Sequence, residues 1–220
     1  MALAFFDLDR TLITVNSGKL WVRSELREGR VSRWQATRAA MWIFGYHLGY
    51  TKMEAVLSDA IATLADQAEA DVRARTHTFY AAEVRATYRP GARAVVDGHR
   101  VRGDTLALLT SSSNYLAEPV QADLDIPHAL CNRFEVVEGR FTGRPSGVLC
   151  FGEGKLVHAR ALAESLGERL EDAWFYTDSA SDLAVLDAVG HPVAVHPDPR
   201  LRRIAASRGW PVVAWDDAGA

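Results

Sequence analysis

Asp7 and Asp9 stand one residue apart at the end of an apolar run near the start of the chain, and Thr11 follows closely. On an extended strand the two aspartates share a face. Carboxylates that close repel each other, so burying both in ionised form is costly unless a cation lies between them. Three further groups follow apolar runs or open helices. Ser111 and Ser112 come after the run at 106–109, Lys155 lies near a helix start, and Asp178 and Asp182 follow the run at 173–177. Carboxylates without a His or Cys cluster suit a hard cation, and magnesium is usually held by one or two carboxylates together with phosphate and water. A lysine and a hydroxyl suit phosphate oxygens. A carboxylate can attack phosphorus to form an aspartyl-phosphate. A second acid two residues on can protonate the leaving alcohol and then deprotonate the water that hydrolyses the intermediate.

These residues meet only if the elements between them are arranged to bring them together. Residues 3–8 read as a buried strand. From residue 90 onwards strands alternate with helices: a helix over 92–101, a strand over 104–109, a helix over 115–124, a helix opened by 152–155, a strand over 173–177 and a helix to about 189. A strand at 192–196, a helix at 199–208 and a short strand at 212–214 complete the series. Phe134 to Thr142 reads as a hairpin around Glu138-Gly139. The alternation predicts an α/β fold with a Rossmann-like parallel sheet. In such sheets ligands collect at the carboxyl ends of the strands, which is where the polar residues fall.

Residues 17–85 have a different character, rich in Ala, Leu, Arg and Glu at helical spacing. They predict three or four helices inserted after the first strand. The expected organisation is an α/β core of residues 1–16 and 86–220 with a helical cap at 17–85. Trp34, Trp42, Phe44, Tyr46 and Tyr50 make one part of this insert aromatic, suited to core packing or to a substrate-facing wall.

Composition narrows the function. The chain has 220 residues, 48% of them apolar and 24% charged, with net charge −3. There is no basic excess for nucleic acid and no polybasic run for a membrane surface. No apolar stretch is long enough to span a bilayer, and the N-terminus lacks signal-peptide character. Cys131 and Cys150 form no metal or redox motif and are expected to be free in a cytoplasmic protein.

The constellation resembles the haloacid dehalogenase superfamily of phosphatases through four motifs in order. They are Asp7-Leu8-Asp9-Arg10-Thr11, Ser111 after an apolar strand, Lys155 in Gly154-Lys155, and Asp178-Ser179-Ala180-Ser181-Asp182. The helical insert and the hairpin with Gly139-Arg140-Phe141-Thr142-Gly143 are similar to the subgroup containing phosphoserine phosphatase. The resemblance implies Asp7 as nucleophile and magnesium ligand. It implies Asp9 as general acid/base, binding magnesium through its backbone carbonyl. Ser111, with the neighbouring Ser112, would hold the phosphoryl group, and Lys155 would offset charge. Asp178 would be the third magnesium ligand, with Thr11 and Asp182 in support.

Three departures bear on the substrate. Arg10 stands where phosphoserine phosphatases typically have a small residue and is a candidate substrate contact. Asn16 aligns with a glutamate that reads the substrate's amino group, and the change removes a negative charge. Ser112-Ser113 replace two glycines. The expected partner is a small phosphorylated metabolite, with phosphoserine and histidinol phosphate as candidates. A phosphotransferase would use the same aspartyl-phosphate. A receiver module would be shorter and would lack the insert. A non-catalytic sensor would not need Asp7, Asp9 and Lys155 together.

Overall fold

The computed structural model describes residues 2–30 and 53–217. β1 (Leu3–Phe6) is apolar and fully buried at every position because it lies inside a sheet covered on both faces. The chain continues through α1 (Ser17–Arg27), α2 (Met53–Ala62), α3 (Glu69–Phe79), α4 (Pro90–Val101), β2 (Thr105–Ser113), α5 (Asn114–Leu124) and β3 (His128–Asn132). The hairpin β4 (Phe134–Val137) and β5 (Arg140–Pro145) follows, then α6 (Glu153–Leu166), β6 (Trp174–Thr177), α7 (Leu183–Leu186), β7 (His191–Val195), α8 (Pro199–Arg208) and β8 (Val212–Val213).

Six strands form one parallel sheet in the order β3-β2-β1-β6-β7-β8. Strand alternation divides the core into two clusters. Ala4, Phe6, Leu106 and Leu108 pack with α4 and α5 on one face, whereas Leu3, Phe5, Ala107 and Leu109 pack with α6, α7 and α8 on the other. The strand order reverses direction between β1 and β6, and the crevice at their carboxyl ends is where such sheets bind ligands. Among the described residues no helix is long and apolar enough to cross a membrane.

The two linkers of the segment between β1 and α4 run side by side. Ile13 bridges Tyr88, the Thr14 amide donates to the Thr87 carbonyl at 2.9 Å, and the Arg89 amide donates to the Leu12 carbonyl at 2.9 Å. Arg73 of α3 pairs with Glu118 of α5, and the Tyr115 hydroxyl donates to Glu69 at 3.1 Å. The hairpin holds the same segment from below: the Asp66 amide donates to the Phe141 carbonyl and the Glu69 amide to the Gly139 carbonyl.

Several elements depart from expectation. β2 continues through Thr110 to Ser113 instead of stopping at residue 109, with an irregularity in its pairing to β3. β3 itself carries no clear strand signal in sequence, since His128, Ala129 and Asn132 are polar or small and it lies at the sheet's edge. The helix after Asp182 is a single turn, ending at Leu186. The aromatic positions from Trp34 to Tyr50 lie outside the described residues. Cys131 and Cys150 are free and buried.

Candidate active site

β1 delivers Asp7 to the sheet's carboxyl edge, where its amide donates to the Tyr176 carbonyl of β6 at 2.9 Å. The chain then enters a wide turn, closed by the Ile13 amide on the Leu8 carbonyl at 3.1 Å. Inside that turn Thr11 is buried and its hydroxyl donates to Asp7 Oδ2 at 3.4 Å. Lys155 arrives from the first turn of α6. Its Nζ donates to Asp7 Oδ1 at 2.8 Å and to Asp182 Oδ2 at 2.9 Å, and the Thr177 hydroxyl donates to the same Asp182 oxygen at 2.6 Å. Asp7, Lys155, Asp178 and Asp182 are all buried.

Gly154 makes the lysine's approach possible. A Cβ there would sit 1.9 Å from the Leu149 carbonyl oxygen, so only glycine lets this helix start lie against the preceding loop.

Negative charge outweighs positive charge in this site. Burial pushes the Asp7 carboxyl up to about 7 against the pull of Lys155. Burial, together with the charges of Asp7 and Asp182, pushes Asp178 up to about 8. Burial alone would lower the Lys155 ammonium, but Asp182 and Asp7 outweigh it and hold the group above its ordinary value. Asp9 is also raised by desolvation, opposed by its hydrogen bond to Ser17. One buried lysine therefore faces several carboxylates, an arrangement that favours a bound cation.

Asp9 is held from outside the sheet. Its Oδ1 accepts from the Ser17 amide at 2.7 Å, at the first residue of α1. The Ser17 hydroxyl lies 3.2 Å from that of Ser112. The start of the inserted segment thus touches both the second aspartate and the serine-rich end of β2. The Ser112 amide donates to Thr110 Oγ1 at 3.1 Å. The Ser111 carbonyl accepts from Asn132 Nδ2 at 2.6 Å, and Asn132 Oδ1 accepts from the Cys150 amide at 2.8 Å.

The structure therefore gathers Asp7, Asp9, Thr11, Ser111, Ser112, Lys155, Asp178 and Asp182 around one carboxyl edge. Arg10 differs: its side chain is exposed and points into a neighbouring cavity with Asp178. Ser17, Asn132 and Thr177 were not singled out by sequence. Ser17 and Asn132 contribute through backbone-directed hydrogen bonds that leave no spacing signal, while Thr177 reads as an ordinary strand residue. Asn16 spends its side chain on capping α1, where Oδ1 accepts from the Lys19 amide at 2.9 Å.

Among the described residues no three His, Cys, Asp or Glu side chains converge as a metal cluster. The expected donor set needs only two carboxylates, Asp7 and Asp178, with a backbone carbonyl from Asp9. Their burial and mutual repulsion fit that set.

A family model described as haloacid dehalogenase-like hydrolase matches residues 4–187. A histidinol-phosphatase of Neisseria meningitidis serogroup C is 30% identical over 216 residues, 96% of this chain and 97% of that protein. The phosphoserine phosphatase SerB1 of Mycobacterium tuberculosis is 31% identical over 216 residues, 96% of this chain and 70% of that protein. Among solved structures, a protein of unknown function from Bordetella pertussis Tohama I superposes with a TM-score of 0.89 at 32% identity, covering 96% of this chain and 97% of that one. A substrate-bound phosphoserine phosphatase shares the fold, with a TM-score of 0.70 at 18% identity over 99% of this chain and 93% of that one.

Proposed function

The chain belongs to the haloacid dehalogenase-like hydrolase family as one of its phosphatases, and we propose that it hydrolyses a small phosphomonoester with magnesium through an aspartyl-phosphate on Asp7. The observation that carries this reading is the buried Lys155 ammonium between Asp7 and Asp182, with Asp9 two residues along on a separate anchor. Asp7 and Asp178 would hold the magnesium ion with the Asp9 carbonyl; bound there, the ion screens the repulsion between carboxylate and phosphate and polarises the phosphoryl oxygens.

In this reading Lys155 keeps Asp7 oriented and ionised, so that a carboxylate oxygen is available to phosphorus. Thr11 fixes the other Asp7 oxygen. The bond from phosphorus to the leaving oxygen breaks as the bond to Asp7 forms, and Asp9 gives its proton to the departing alcohol. Asp9 then takes a proton from water, which attacks phosphorus and releases Asp7 and inorganic phosphate. The raised Asp9 pKa suits a group that must first carry that proton. The Ser111 hydroxyl and the amides at the end of β2 would hold the phosphoryl oxygens, in a loop kept in place by Asn132.

Residues 17–85 act in this reading as a cap whose first helix reaches Asp9. The free, buried cysteines suit a cytoplasmic setting. Phosphoserine and histidinol phosphate are the candidate substrates. A screen of phosphorylated metabolites with and without magnesium tests the assignment: magnesium-dependent phosphate release supports it, and no release from any compound contradicts it.

A further inference from the structure

Beside the carboxyl edge lies a cavity of about 330 Å³, near the lower end of the range for small-molecule sites. Arg10 and Arg200 both line it, with Asp178, Ser179, Ser181 and Asp198. The two arginines come from elements nearly two hundred residues apart, the turn after β1 and the first turn of α8. Both are exposed, and among the described residues neither guanidinium makes an ion pair or hydrogen bond.

The acidic residues in the cavity are already engaged. Asp198 Oδ1 accepts from the Arg200 and Leu201 amides at 2.7 and 2.8 Å, and Oδ2 accepts from the Ala180 amide at 2.9 Å. Its carboxylate is spent on capping α8 and fixing the loop after β6. Asp178 faces the acidic cluster of Asp7 and Asp182, whose charges push it up, while the charge of Arg10 acts on it in the opposite sense without a hydrogen bond or ion pair between them.

Arg10 is fixed in place at an energetic cost. Its φ is +60°, a left-handed conformation that a residue with a Cβ adopts only when its surroundings impose it. Those surroundings are explicit: its amide donates to the Val15 carbonyl at 3.0 Å, and its carbonyl accepts from Arg89 Nε and Nη2 at 3.2 and 2.9 Å. Glycine, which has no Cβ, would meet the same backbone demand with less strain, so the guanidinium calls for another explanation.

We propose that Arg10 and Arg200 form a specificity site for a second anionic group on the substrate, distinct from the phosphoryl group that is transferred. This rests on the phosphatase reading above and narrows its substrate to phosphomonoesters that also carry a carboxylate or a second phosphate. Two exposed guanidiniums beside hydroxyls, neither committed to a hydrogen bond or ion pair among the described residues, offer charge-assisted hydrogen bonds to such a group. Asn16 points the same way: it is neutral and is occupied in capping α1, so it offers no charge to attract a substrate ammonium.

The test compares kcat/KM for matched pairs with the magnesium-loaded protein. 3-Phosphoglycerate against glycerol 3-phosphate, and phosphoserine against phosphoethanolamine, vary a carboxylate. 1,3-Propanediol bisphosphate against its monophosphate varies a second phosphate. Wild type should favour the anionic member of at least one kind of pair by about tenfold or more, and the preferred kind identifies the group. Arg200→Gln should collapse that ratio towards one, and Arg200→Lys should restore part of it. Turnover without preference in either kind of pair, or an Arg200→Gln variant that loses activity equally on both members, overturns the specificity site alone. No turnover of any compound overturns the phosphatase reading and the site with it.

Discussion

Lys155 Nζ lies 2.8 Å from Asp7 Oδ1, and the two buried residues are 148 positions apart in the chain. The same ammonium reaches Asp182 at 2.9 Å. This one cation joins the first strand, the start of α6 and the loop after β6. Replacing it leaves two buried carboxylates without their counter-charge. Lys155→Met should cost about 3–5 kcal/mol at pH 8, and less near pH 5, where Asp7 can take up a proton. Thermal melts at the two pH values check this. A variant as stable as wild type at pH 8 would show that the lysine does not compensate these charges.

The charge pattern also predicts how a metal acts on stability. Asp7 and Asp178 sit at about 7 and about 8, above the ordinary 3.8. Between the ordinary and the raised values the folded state holds more protons than the unfolded state. Stability of the metal-free protein therefore declines as pH rises from about 4 to about 8. A metal ion replaces those protons, so the rise in melting temperature on adding magnesium should grow across the same window. An increment independent of pH between 5 and 8.5 would contradict the assigned ligands.

Asp9 is anchored by the Ser17 amide and not by Lys155, which suits a role separate from that of Asp7. Asp9→Asn should lower kcat by about 10²–10⁴-fold on a substrate with a poor leaving group. The loss in the first step should be smaller on p-nitrophenyl phosphate, whose leaving group needs no proton. Equal losses in that step for both substrates would remove the general-acid role.

Gly154 is the structural condition for the site. Gly154→Ala would place a methyl group against the Leu149 carbonyl and force the start of α6 to shift. A cost of about 1–3 kcal/mol is expected, with a fall in kcat/KM larger than that of Gly167→Ala, which strains a left-handed glycine at the far end of α6, away from the site. Full activity in Gly154→Ala would mean that the placement of Lys155 tolerates such a shift.

Much of this arrangement is legible in the chain because β1, β2 and β6 are apolar runs that end in polar residues. A parallel sheet gathers such ends at one edge. The helix at 199–208 has the bounds the sequence predicts, and the structure caps it with Asp198 ahead of a proline in the first turn. β3 was not legible: His128 to Asn132 is short, mixed in polarity and stabilised by pairing with β2, which is a tertiary effect. The end of β2 misled for the opposite reason. Thr110 to Ser113 has turn composition, yet its polar atoms are satisfied by neighbours such as Asn132 while the backbone stays extended. Arg10 was legible as unusual, but the cavity it shares with Arg200 depends on a fold that brings residue 200 beside residue 10.

The central claim is that phosphate passes through Asp7. Asp9→Asn treated with p-nitrophenyl phosphate and magnesium should form the intermediate quickly and hydrolyse it slowly, so that it accumulates. Acid quench and peptide mapping by mass spectrometry should then find one hydroxylamine-sensitive phosphoryl group on the peptide containing Asp7, and none after a further Asp7→Asn substitution. A phosphoryl group on another residue, or near-normal magnesium-dependent turnover in the single variant Asp7→Asn, would contradict it.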